Sequence, residues 1–104
     1  MENILHLRNA DIARLLIGAP EGHSHIRTII ETVNGDRILL QEATVAAIVR
    51  GYTTVKTSPT VYAVEFESIA LPERKKGYAE HQLIELGREE ERVRAEISAL
   101  LSAT

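Results

Sequence analysis

Cysteine and tryptophan are both missing from this 104-residue chain. Without cysteine there is no disulfide, no thiolate nucleophile and no cysteine-bearing zinc site, a composition that suits a reducing, cytoplasmic setting. Aromatic residues are scarce, with Tyr52, Tyr62, Phe66 and Tyr78 making up 4% of the chain. The core must therefore be mostly aliphatic, and a base-stacking surface for single-stranded nucleic acid has few rings to draw on. The longest early apolar run is Leu15-Leu16-Ile17, too short for a signal peptide or a membrane span. Positive charge is in deficit too, at 12 basic against 15 acidic residues and a net charge of −3, which argues against nucleic-acid and anionic-membrane partners.

What is present is 44% hydrophobic residues, enough for one modest core. The length prior makes residues 1–104 a single domain. So small a chain buries a limited share of its surface, and pairing with a copy of itself is a direct way to bury more.

From Asn9 to Ala19, Ile12, Leu15, Leu16 and Ala19 recur at helical spacing, with Asn9 placed to cap and Asp11 in the first turn, which predicts a short helix. Gly18-Ala19-Pro20-Glu21-Gly22 ends it. Residues 25–41 predict a β-hairpin: a β-branched stretch through Ile26, Thr28, Ile30 and Thr32 leads into Asn34-Gly35, the pair favoured in a type I′ turn, and the chain returns through Arg37–Gln41. Leu39 and Leu40, like Ile29 and Ile30, fall on opposite faces, which predicts that both faces of the sheet are partly covered.

Val45, Ile48, Val49, Tyr52 and Val55 again follow helical spacing, yet Gly51 interrupts them, and Thr53-Thr54-Val55 suits a strand after an Arg50-Gly51 turn. Helix is the preferred reading. Ser58-Pro59 ends the element in either case, and Thr60–Leu71 reads as a strand followed by a charged connection over Pro72–Gly77.

The tail, residues 78–104, reads as an amphipathic helix. Ala79, Leu83, Leu86, Val93, Ile97 and Leu100 take steps of four and three along it, with Glu90 at the missing position, while Glu90–Arg94 and Arg92–Glu96 are spaced as ion pairs. A helix over Ala79–Ala103 would be roughly 37 Å long at 1.5 Å per residue, against a radius of gyration of about 13 Å for a compact chain of this size. It would overhang its own domain. Leu83, Leu86, Val93, Ile97 and Leu100 are accordingly the expected oligomer interface. Gly87 followed by Glu89-Glu90-Glu91 allows another outcome, in which Glu80–Leu86 is a strand and only 88–102 are helical.

The expected fold is thus α+β in the order α-β-β-α-β-α, a small antiparallel sheet covered by helices. A mostly β meander or small barrel with one C-terminal helix is the alternative.

Few residues suggest chemistry. His23 and His25 flank Ser24, and in extended chain their rings share a side, the first half of a metal site that Glu65, Glu67 or His81 could complete. The usual fate of histidines beside glycine is solvation. Ser24 lacks the Gly-x-Ser-x-Gly frame of a nucleophile elbow, since position 26 is isoleucine. Glu65 and Glu67 would share one strand face, as an acid and base pair requires, although an acidic stripe also keeps a sheet from aggregating. The loop at 18–22 has no following Lys-Ser or Lys-Thr and leads into a strand, so it is no phosphate loop. Arg74-Lys75-Lys76 is the one run of three basic residues, set between Glu73 and Glu80. No cofactor is implied. The functional expectation is a non-catalytic interaction or assembly protein, homo-oligomeric through its C-terminal helix. Two alternatives stand beside it: a small enzyme or ligand-binding protein with its site between subunits, and a nucleic-acid binder.

Overall fold

The computed structural model describes residues 4–70, 81–87 and 89–102. The class is α+β, with two small antiparallel sheets and two α-helices among the described residues. The strands are β1 (Ile12–Gly18), β2 (Arg27–Thr32), β3 (Arg37–Gln41), β4 (Glu65–Ala70) and β5 (His81–Leu86), and the helices are α1 (Glu42–Thr57) and α2 (Glu90–Leu101). The chain divides into two compact units, Met1–Val45 and Ala46–Thr104.

The first unit is a meander, β1-β2-β3, with each strand antiparallel to its neighbour. The expected helix over Asn9–Ala19 is absent. One turn of 3-10 helix covers Asn9–Asp11, pinned by the Arg8 guanidinium on the Asp11 carboxylate at 3.1 Å, and β1 follows directly. The physical reason is that Ile12–Ile17 is nearly continuous in apolar residues, a pattern equally good for a helix face and for a strand with both faces apolar. The β-branched β2 decides between them by offering Leu15 a partner in Ile30, Leu16 in Ile29 and Ile17 in Thr28. The register slips once, between Ile12 and Arg14.

The hairpin forms where the sequence predicts it, with Ile29 opposite Leu39 and Ile30 opposite Ile38. Its turn is of another kind. Within the turn Gly35 alone has positive φ, at 91°, and no described non-glycine residue does, whereas a type I′ turn would need Asn34 there as well. The Gly35 N–H reaches the Thr32 carbonyl at 3.0 Å and the Thr32 N–H reaches that of Asp36 at 2.9 Å. This is the three-residue hairpin loop with a left-handed residue in last place.

β3 runs straight into α1, which resolves the choice at 44–57 in favour of the helix. Gly51 is buried inside it, and a Cβ there would stand 3.2 Å from both Val64 Cγ2 and Phe66 Cε2. The glycine marks a close approach, not a break. Thr57 ends the helix, as Pro59 requires.

In the second unit α1 turns its buried Ala47 and Gly51, one turn apart, inward. Ala47, Ala63 and Val93 are the buried hydrophobic residues among those described, so this core is built of small side chains. The predicted strand at 60–71 is shorter, since 61–64 make no ladder and β4 begins at Glu65; Leu71 and the connection at 72–77 lie outside the described residues. The continuous tail helix does not form. Residues 81–86 are β5, paired with β4 from Glu65 opposite Leu86 to Ala70 opposite His81, and the helix resumes at Glu90. Pairing satisfies the backbone of this segment and lets Leu83 and Leu86, three apart, occupy opposite sheet faces. Among the described residues, no helix is long and apolar enough to cross a membrane.

Candidate functional site

The loop from 19 to 26 carries the two candidate metal ligands. Gly22, at φ 78°, occupies the third position of a turn closed by the His23 N–H on the Pro20 carbonyl at 3.0 Å, the place where a type II turn needs positive φ. His23 thus contributes its backbone to the turn. His25 lies further on, its Nδ1 3.6 Å from Glu42 Oε2 at the first residue of α1. The other Glu42 oxygen accepts the Ile26 N–H at 2.8 Å. That bond foremost, with His25 adding to it, holds the Glu42 carboxyl below the usual glutamate range. The arrangement ties the loop to the start of the helix, a purpose that the sequence does not announce because the partners are 16 and 17 positions apart. Among the described residues, no three histidine, aspartate or glutamate side chains converge as a metal ion requires.

Glu65 and Glu67 share a face of β4, opposite Leu86 and Ile84 of β5. They and His81, on β5, belong to the second unit, while His23 and His25 belong to the first. Arg74-Lys75-Lys76 falls outside the described residues.

The expected interface residues fare differently from one another. Leu83 and Leu86 are half-buried on β5. Val93 is buried, at 6% exposed, whereas Ile97 and Leu100 stay exposed on α2. The spacing that suggested one seam therefore spans two elements, and only Val93, Ile97 and Leu100 still lie on one helix face. Glu90 and Arg94 both reach Tyr62: the Glu90 Oε2 accepts the Tyr62 N–H at 3.1 Å, and the Arg94 guanidinium sits 4.6 Å from the centre of the Tyr62 ring. Arg50 of α1 lies over Phe66 in the same manner, at 5.4 Å.

A surface that the sequence reading did not single out lies on the meander. Directly opposed residues of antiparallel strands share a face, so the register sets Leu16, Ile29 and Leu39 in one row across three strands and Arg14, Glu31 and Arg37 in the next. Glu31 accepts from Arg37 Nε at 2.9 Å and from Arg14 Nε at 3.0 Å. The two arginines, Arg37 first, lower the Glu31 pKa. On β1, Leu15 is 55%, Leu16 42% and Ile17 64% exposed. An open apolar groove lies beside them, lined by Leu16, Ile17, Gly18, Ala19, Pro20, Arg27 and Ile29. The signal in the sequence was the run Leu15-Leu16-Ile17, of which the helical reading placed Leu15 and Leu16 on one apolar face with Ile12 and Ala19. Comparison with family models, with curated proteins and with solved structures finds no match to this chain.

Proposed function

We propose that this chain works by association and not by catalysis, as a small assembly module that binds copies of itself. The observation that carries this reading is the mismatch between core and surface. Among the described residues the buried hydrophobic side chains are two alanines and one valine, while Leu15, Leu16, Ile17, Leu39, Ile97, Leu100 and Leu101 remain exposed. At about 25 cal/mol per Å² of apolar surface, covering several such side chains is a substantial driving force for association. Leu16 and Leu39 share one face of the meander, and large exposed aliphatic groups set together on one surface characterise interaction faces. Oligomerisation of this kind needs no cofactor.

Light scattering coupled to size-exclusion chromatography tests the proposal. A mass of at least twice the 11.5 kDa chain, falling on dilution, is the expected result. A mass of 11.5 kDa at every concentration up to the solubility limit overturns it.

A further inference from the structure

If the chain self-associates as proposed, its strand edges differ in how well they are protected. β4 carries Glu65 and Glu67, and β5 carries His81 and Glu85. β3 is five residues long, opens on Arg37 and passes directly into α1. Charges and short length of this kind keep edges from pairing. β1 has little of either. It is seven residues long, and its ladder to β2 is regular from Arg14 to Gly18. Its single charged residue, Arg14, is already bonded to Glu31.

We infer that β1 is the assembly edge and pairs antiparallel with β1 of a second copy, with Leu16 on the two-fold axis. A two-fold axis relating antiparallel strands of one sheet keeps each side chain on its own face, so one residue must oppose its own copy. With Leu16 on the axis, Leu15 opposes Ile17 of the second copy and Arg14 opposes Gly18. Large apolar side chains then meet only large apolar side chains, and Arg14 meets no second cation. Moving the axis to Leu15 sets Arg14 against Leu16 and Ile17 against Ala13. Moving it to Ile17 sets Arg14 against Pro20, which has no N–H to give the ladder. The Leu16 register also joins the two rows of the meander into one band running Leu39, Ile29, Leu16, Leu16, Ile29, Leu39 across six strands. Strand addition at an open edge supplies main-chain hydrogen bonds along with this apolar match.

The absence of cysteine allows a nitroxide label at a single introduced cysteine, Leu39→Cys, which lies on the sheet face and away from the pairing edge. In the paired sheet Leu39 and its copy are five strand spacings apart, about 24 Å, and pulsed electron resonance should give a distance in the range of about 20 to 30 Å. Leu16→Lys would place two ammonium groups face to face and should reduce the mass to 11.5 kDa. Val49→Lys, an equally drastic change at a 55% exposed position on α1, should not. A monomeric unmodified protein overturns the self-association reading and this inference with it. A multimeric protein whose Leu39 labels show no distance in that range overturns the β1 edge alone, and this measurement holds even if Leu16→Lys fails to fold. A Leu16→Lys variant that folds and stays multimeric overturns the edge as well.

Discussion

Gly51 on α1 and Phe66 on β4 are packed so closely that a single added methyl would lie 3.2 Å from the Phe66 ring edge. Val64 Cγ2 stands at the same distance, so the methyl would be hemmed in by two side chains at once. Alanine gains about 1 kcal/mol over glycine inside a helix, while overpacking costs about 1–3 kcal/mol. Gly51→Ala should therefore lose at most about 2 kcal/mol, and Gly51→Leu, which has several atoms to place, should lose about 3 kcal/mol or more. Urea unfolding followed by circular dichroism measures both. A Gly51→Leu chain as stable as the parent would show that the contact is not tight.

Glu31 holds Arg14 and Arg37 on the strands either side of it. Its folded pKa is lowered, foremost by Arg37, so the unfolded chain takes up its proton first as pH falls. The stabilisation is complete above the ordinary glutamate pKa of about 4.3 and is lost as pH drops through the lower folded value. Asp11 and Glu42, also lowered, act in the same direction. Unfolding midpoints measured from pH 7 down to pH 3 should decline on the acid side, and less steeply in Glu31→Gln. Identical slopes would remove Glu31 from the account.

Gly35 and Gly87 both have open space where a Cβ would be, but only Gly35 has positive φ. Gly35→Ala should cost about 1 kcal/mol, because the cost is conformational. Gly87→Ala should be neutral within about 0.5 kcal/mol. Equal losses at the two positions would mean that Gly87 is needed for the passage from β5 to α2.

Val93 is buried while Ile97, one turn on, is 44% exposed. Val93→Ala should lower stability by about 2 kcal/mol through lost burial and the cavity left behind. Ile97→Ala should lower it by less than about 1 kcal/mol. Reversal of that order in chemical denaturation would place Ile97, not Val93, in the core of the second unit.

The parts of the fold legible in the sequence are those fixed by local chemistry. Asn34-Gly35 between two β-branched runs announces the hairpin, and Pro59 announces the end of α1. The remainder depended on partners distant in sequence. Ile12–Ile17 becomes a strand because β2 has an open edge, a fact absent from the six residues themselves. Leu83 and Leu86 fit a helical seam by spacing, yet β4 draws them into a ladder. Gly51 reads as a helix interruption until Val64 and Phe66 are seen against it. In the candidate site, the histidines were legible as residue types but not the carboxylate that His25 meets, since Glu42 lies beyond an entire hairpin. The apolar surface of β1 was hidden by the same ambiguity that mislabelled the strand.

Every strand in both sheets lies beside its neighbour in sequence, in the order β1-β2-β3 and β4-β5. For folding kinetics this means that each ladder closes only the chain between consecutive strands, so little entropy is spent before pairing begins. The meander needs nothing beyond Gln41 to complete its backbone ladders, and it can form while the rest of the chain is still leaving the ribosome. The edge of β1 on which the proposed pairing rests is thereby complete before any strand of the second unit has been made.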